Sequence, residues 1–451
     1  MLCDTYFIAG GSGFIAIAVR CKGLLDDTGL DTHIDMERNT PQEGAIVYVT
    51  AESPYGTGEV WALHEMLALS AAGCKLLVIP RTARGDVFHR DGESLLQKTV
   101  AAPFMGTKVL AALVRACFLR PRQLVGAVSW TWRKSVDSGE FVKGLVVVPK
   151  CVYLADILKT ARIRHIHAHS TTTVANVASV LARLLGCSFS FTLHTSVIAV
   201  PVYTRQFHTL LESAQFVRVI SKEVGDKLLR IVGNQYADKI VVLPLGVDCH
   251  VEPADGPARQ RPFTILTPAA LLPHKGHGVA LRACRVLMES GINDFKWIFC
   301  GDGPLKSEIQ MSIRQTGLSG VVELCGMVPN DRILEWYKLG QVDVVILPSV
   351  AVSDQHEGIP HALMQAMSYG IPVCSTDSGG TLELIGGGAG VFVPQGDVGA
   401  LARAVEKLMC DDLYRRSQGE RGRAKVKTEF DADTTAKTLL TLFTNGPRCD
   451  A

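Results

Sequence analysis

What this chain lacks narrows it quickly. Its 13 cysteines never fall into a Cys-x-x-Cys pair and show no regular spacing. That argues against a secreted disulfide scaffold and predicts buried thiols in a reducing, cytoplasmic compartment. Charge of one sign is missing too: 46 Lys and Arg stand against 44 Asp and Glu. A nucleic-acid binder would be lopsided, so nucleic acid is not an expected partner. No apolar run approaches the ~18 residues that a membrane span needs. The opening residues, "MLCDTYF", lack the basic-then-apolar pattern of a signal peptide. No short-period repeat is visible.

What is present is apolar material in α/β order. The 451 residues, 47% of them hydrophobic, suggest two domains of roughly 200 residues each. "AIVYVT" (45–50) reads as a strand and "EVWALHEMLALSAAG" (59–73) as a helix closed by Gly73. "KLLVIP" (75–80) completes a βαβ unit, with "SPYGTG" (53–58) at its first turn. Further strands follow at 165–170, 189–194, 216–221 and 239–244. Strands separated by helices mean a parallel sheet covered on both faces. The polar stretch "HVEPADGPARQRP" (250–262) marks a domain boundary, after which strands and helices begin again. The organisation expected is therefore an extension at 1–44, read as a hairpin, then Rossmann-like domains at 45–250 and 251–430. A C-terminal helix and tail would occupy 431–451.

Open α/β sheets bind ligands beyond the carboxyl ends of their strands. The loops there are the informative ones. "VAVSDQHEGIP" (350–360) leads into a helix with Pro360 at its first position, where a missing N–H does no harm. Such a helix start offers backbone donors and a positive dipole end to an anion. "DSGG" (377–380) is a second Gly-rich turn into a helix. Lys275, in "LLPHKGH" (271–277), is a cation placed to meet a diphosphate, and "CGDGP" (300–304) is another tight turn.

Together these residues resemble a known family. "EGIPHALMQAMSYGIPVCSTDSGGTLELI" (357–385) is similar to the signature of retaining GT-B glycosyltransferases of the sucrose-synthase and mannosyltransferase-like group. The exopolysaccharide branch, of colanic-acid type, resembles it most, and segments 165–194, 219–228 and 241–248 share that likeness. The resemblance implies an α/β GT-B fold, with two doubly wound sheets facing across a cleft. It implies transfer of a sugar from a nucleotide donor, UDP- or GDP-linked, to a glycan, lipid-linked or small-molecule acceptor. It implies no cofactor and no metal.

By position, Glu357 would touch the donor sugar and Gln365 the ribose. Lys275 would meet the diphosphate, and Gly379, Gly380 and Thr381 would cradle phosphate oxygens. His194, and His169 before it, would lie near the transferred sugar. Gly58 would approach the diphosphate, and Val328 would sit where the base is held.

Two positions depart from that pattern. Gln365 replaces a Glu, and Ala270 stands five residues before Lys275 where an Arg is usual. They favour an alternative reading: a catalytically weakened nucleotide-sugar-binding partner subunit of a glycosyltransferase complex.

Other motifs weigh less. His165, His167 and His169 alternate along a strand, so they share a face like a metal cluster, but no fourth ligand is evident. "DAD" (431–433) reads as a helix cap. "GGSGFI" (10–15) lacks the helix an epimerase turn needs, and no Tyr has a Lys four residues on. The basic, apolar stretch 108–134 has two readings: an interfacial helix giving peripheral membrane contact, or a partly buried helix with a solvated face.

Overall fold

The computed structural model describes residues 44–83, 86–135, 138–171, 173–194, 201–252, 261–352 and 357–445. The hairpin expected within 1–44 and most of the boundary segment 250–262 lie outside the described residues. Six strands build the first sheet: β1 (Ala45–Glu52), β2 (Leu76–Thr82), β3 (Ile163–Ala168), β4 (Ser188–Leu193), β5 (Phe216–Val219) and β6 (Ile240–Val242), in the order β2-β1-β3-β4-β5-β6. Six more build the second: β7 (Phe263–Pro268), β8 (Phe295–Cys300), β9 (Val322–Gly326), β10 (Val344–Leu347), β11 (Val373–Ser375) and β12 (Val391–Phe392), in the order β12-β11-β10-β7-β8-β9. All ten strand pairings are parallel. Continuous apolar runs such as "VVIL" in β10 suit strands buried on both faces.

In each sheet the first strand is the switch point. β1 lies between β2 and β3, and β7 lies between β8 and β10. Chain direction therefore reverses its spread at β1/β3 and at β7/β10, and the loops leaving these strands part to leave a crevice. Ser53–Gly58 follows β1, Ala269–Lys275 follows β7, and the segment ending in Glu357–Pro360 follows β10.

One expectation needs correction. Pro360 is the residue before the helix His361–Ser368, not its first residue, with φ −72° and ψ 107°. An extended backbone there still suits Pro, whose ring fixes φ near that value. The terminal helix, Ala432–Asn445, follows the second domain in the chain. Asp431 caps it, accepting from the Thr434 amide at 2.9 Å, as the cap reading expects. It then packs on the helix Val60–Ala71, and Leu439 and Phe443 enter the core of the first domain beside Tyr48 and Phe216.

That core contains unusual polar cargo. His165 lies between Ser188 and Ser190, at 2.8 and 2.7 Å, and His167 between Ser190 and Thr192, at 2.7 and 2.8 Å. The serines and threonine come from the next strand, β4, in register with the histidines. Beside them Arg218 forms a buried ion pair with Glu65 and donates to the carbonyls of Leu243 and Pro244 at 2.7 and 2.6 Å. Tyr48 donates to the other oxygen of Glu65 at 2.8 Å. Glu65, His167 and His169 do bring three ligand atoms within 4.8 Å of one another. A cation there would compete with the Arg218 guanidinium for Glu65 and would break one of the two hydrogen bonds of His167. Glu65 and His167 already hold partners, whereas neither ring nitrogen of His169 has a hydrogen bond among the described residues.

These rings make stability depend on pH. Burial holds His165 and His169 at about 3 and His167 well below its ordinary value. The folded chain keeps them neutral, whereas the unfolded chain protonates them near 6.5. The unfolded state thus binds more protons as pH falls below 6.5, so stability is full above that value and declines toward pH 3. Each ring withdraws on the order of 1.4 kcal/mol per pH unit in that window. Urea midpoints should therefore fall clearly between about pH 7.5 and about pH 5.5. Equal midpoints would show that the rings are already accessible to protons in the folded chain.

Candidate functional site

The two switch points face each other across a cleft of about 460 Å³. The first domain contributes Gly58, Trp61 and His194 to its wall. The second contributes Ala270, Lys275, Val328, Glu357 and Gln365. Most of the lining is apolar, as a small-molecule site requires, with a few convergent polar groups to orient a ligand.

Glu357 and Lys275 meet inside it. The Lys275 ammonium donates to both carboxylate oxygens of Glu357, at 2.7 and 2.9 Å. Ser349, at the start of the loop that follows β10, donates to the same carboxylate at 2.7 Å. Glu357 is 7% exposed, so its charge is desolvated and needs those partners. Lys275 is brought there by Gly276, whose φ of +71° turns the loop into the helix His277–Glu289. A Cβ at Gly276 would stand 1.8 Å from the Pro348 carbonyl oxygen, so the β7 and β10 loops pack backbone to backbone.

The next residue, Gly358, is where the domains touch. A Cβ there would lie 2.6 Å from the His194 carbonyl oxygen and 2.6 Å from Ile220. On the other side, a Cβ at Gly379 would lie 1.9 Å from the Glu357 carbonyl oxygen. Gly380 approaches Ser221 and Gly358, and its amide points at the Glu357 carbonyl at 3.4 Å. Thr381 is fully buried and donates its hydroxyl to the Ser378 carbonyl at 2.7 Å. Gly379, Gly380 and Thr381 therefore pack against the Glu357 segment. The glycines serve close backbone approach.

His194 follows β4. Its Nε2 lies 2.8 Å from the His169 carbonyl oxygen. A carbonyl only accepts, so Nε2 carries the proton and Nδ1 is left as an acceptor. Burial, then the neighbouring His169 and Arg218, holds the ring well below its usual pKa, so it is neutral. His169 itself is corrected in place. Its side chain is fully buried, 3.5 Å from Glu65, and only its main chain serves His194.

Several residues escaped the sequence reading. Trp61 lines the cleft with a buried Nε1 that has no partner. His64 of the first domain stacks on His361 of the second, 5.4 Å between centroids and 10° between planes. Asn330 reaches across to His64 at 3.3 Å and donates its amide to His89 at 3.2 Å. Glu383 accepts from the Lys222 and Glu223 amides, both at 2.9 Å, and so caps a first-domain helix, Lys222–Val232, from the second domain. A lone Glu after "DSGGTL" offers no local sign of this. The nearest signal is Ser221, which caps the same helix and accepts from the Val224 amide at 3.2 Å.

Known proteins match this architecture. Residues 251–425 match the family model of glycosyl transferases group 1. The amylovoran biosynthesis glycosyltransferase AmsK of Erwinia amylovora is 36% identical over 220 residues, which are 46% of this chain and 51% of that protein. WcaL of Escherichia coli, named as a putative colanic acid biosynthesis glycosyltransferase, is 34% identical over 247 residues, 53% of this chain and 59% of that one. The chain thus spans a little over half the length of these curated relatives. Among solved structures, Anabaena HepE in complex with UDP and glucose superposes with a TM-score of 0.65 at 16% identity, covering 89% of this chain and 100% of that one. Residues 251–425 thus match a group 1 glycosyltransferase domain, within a chain whose fold is that of GT-B proteins.

Proposed function

We propose that this chain is a retaining glycosyltransferase, moving a sugar from a nucleotide-sugar donor to a hydroxyl of a glycan, lipid-linked saccharide or small glycoside. One observation carries the reading: the Lys275–Glu357 ion pair of one domain and the neutral His194 of the other line a single cleft at both switch points. The relatives' names, which concern amylovoran and colanic acid biosynthesis, point to exopolysaccharide as the acceptor class. Anabaena HepE, a neighbour of like fold, is solved with UDP, which supports a nucleotide in the cleft.

Each residue has a task in this reading. Two of the three Lys275 donors are spent on Glu357, and the third is free to meet a diphosphate oxygen. The first turn of the helix His361–Ser368 lines the same cleft and adds its dipole. Gln365 stands one turn further along that helix, toward the ribose, and Val328 lies toward the base. His194 Nδ1 accepts from a sugar hydroxyl, while Glu357 stabilises the sugar as positive charge develops on it. The acceptor oxygen bonds to the anomeric carbon, the bond to the diphosphate breaks, and the acceptor proton passes to the departing diphosphate on the same face. Positive field at the leaving group comes from Lys275 and the helix. Gly379, Gly380 and Thr381 act indirectly, by holding the Glu357 segment.

Ala270 and Gln365 favour the second reading, a nucleotide-sugar-binding partner subunit, and one experiment separates the two. Purified protein is incubated with UDP-, GDP- and dTDP-sugars, and both bound nucleotide and released nucleotide are measured. Turnover is expected, and Glu357→Gln should lower it by ~10²–10³ while nucleotide still binds. Binding with no turnover supports the partner subunit. Full turnover by Glu357→Gln would remove Glu357 from the site.

A second prediction concerns the two departures. Ala270 is exposed on the cleft wall, so an Arg side chain has room. Ala270→Arg with Gln365→Glu should raise kcat/KM by about tenfold or more, the equivalent of one or two charge-assisted hydrogen bonds. Unchanged kcat/KM would show that position 270 does not face the diphosphate.

A further inference from the structure

One surface of the first domain has no partner among the described residues and no role in the cleft. Three helices precede β3: Thr107–Leu119, Pro121–Lys134 and Ser138–Leu158. Among the described residues, eighteen large apolar side chains are exposed, and nine of them lie between Met105 and Val146. Leu110, Val114 and Phe118 are 61%, 49% and 81% exposed and repeat every four residues, so they form one stripe on the first helix. Its opposite side, Val109, Ala112 and Ala116, is buried against the domain. Val125 and Trp132 are 67% and 61% exposed on the second helix. Trp132 meets Phe141 of the third edge-on at 5.0 Å and shares with it a shallow apolar groove. Monomeric proteins rarely leave so continuous an apolar face in water.

Charge identifies what covers it. From Ser94 to Val136 the sequence has no Asp or Glu but seven Lys and Arg, of which Lys134 is buried; Asp137 and Glu140 follow. Lys108 and Arg122 are exposed, and Lys108 and Arg115 flank the apolar stripe. The acid beneath them, Asp156, is already shared by three cations, Arg115, Arg120 and Lys159. Burial alone would raise its carboxyl, but those hydrogen bonds outweigh burial and hold it at about 2. Glu212 stands 3.7 Å from Arg133, both half-exposed. A positive surplus remains around an apolar face with an exposed Trp. No helix among the described residues is long and apolar enough to cross a membrane. An apolar stripe rimmed by cations instead suits a bilayer interface: side chains enter the acyl boundary while Lys and Arg meet anionic headgroups.

We propose that the exposed faces of Thr107–Leu119, Pro121–Lys134 and the start of Ser138–Leu158 form a docking surface for an anionic lipid bilayer, on which the protein lies without spanning it. The inference does not rest on the reading of the cleft, because it uses no residue of the cleft.

The test uses the full chain without donor. Flotation is measured with vesicles of phosphatidylcholine and with vesicles of equal phosphatidylcholine and phosphatidylglycerol, at low and high salt. Binding is expected on the anionic vesicles and should weaken with salt. Arg122→Glu with Lys108→Glu should weaken it by about tenfold or more. Phe118→Ser with Trp132→Ser should abolish it. Trp132 is also a reporter, since Trp130 and Trp297 are buried and Trp61 and Trp336 partly so, and its emission should shift to the blue on binding. Nucleotide binding by the same variants, measured in solution, should not change, which separates this result from any failure of the cleft reading. Absence of binding, or binding indifferent to these substitutions, overturns the proposal. So does sedimentation of the free protein as a dimer that Phe118→Ser and Trp132→Ser dissociate, because a second copy would then be the occupant.

Discussion

The main chain of Glu357 and Gly358 is pressed from both sides, and the cleft depends on that pressure. Gly379 closes on the Glu357 carbonyl from one side, and the His194 carbonyl and Ile220 close on Gly358 from the other. No side chain fits at either glycine, so the peptide that carries the cleft's carboxylate is set by backbone contacts of both domains at once. Close-packed interiors transmit small displacements instead of absorbing them. A shift of the His194 loop moves Gly358, and with it Glu357, its bonds to Lys275 and Ser349, and the start of the helix His361–Ser368.

Other contacts around that point hold the domains in register. Glu383 satisfies two orphan amides of a first-domain helix, a bond between charge and helix dipole that crosses the domain boundary. His64 and His361 stack beside it, with Asn330 bridging to His64 and His89. The helix Ala432–Asn445 returns from the second domain into the core of the first. Behind His194, the Glu65–Arg218 pair and the serine-bonded histidines form a stiff floor. A buried ion pair is weak as a source of stability, because desolvation offsets its attraction. Here its effect is positional, since Glu65 lies next to His169, whose carbonyl fixes the tautomer of His194.

The sequence carried much of this and hid the rest for definite reasons. Apolar runs and their spacing located the strands of both sheets, because strands buried on two faces leave little choice of residue. The loops after β7 and β10, with Lys275 and Glu357, were legible because ligand loops follow strand ends. "DSGG" packs against the Glu357 segment, where a missing side chain lets two backbones meet. A Gly-rich turn before a helix looks the same whether its missing side chains admit a phosphate or a neighbouring backbone, and only the approach of Glu357 decides. His169 continues the alternation of His165 and His167, so its ring faces the same buried floor as theirs. Glu383 and the terminal helix act on residues about 160 or more positions away, and no periodicity encodes such contacts.

The charge within the cleft sharpens the meaning of Ala270. Among the described residues that line it, Lys275 is the one Lys or Arg and Glu357 the one carboxylate, and they are bonded to each other. The pair is neutral as a whole, and His194 adds no charge. An incoming diphosphate would therefore find little free positive charge beyond the remaining donor of Lys275 and the helix dipole, which amounts to about half an elementary charge at the N-terminus. A second cation at position 270 would change that balance by a full unit at an exposed wall. The glycines that set the Glu357 peptide keep their tight approach in this chain, whereas the electrostatics around it are reduced. Positioning is thus what this cleft retains most completely, and any catalysis in it leans on geometry more than on charge.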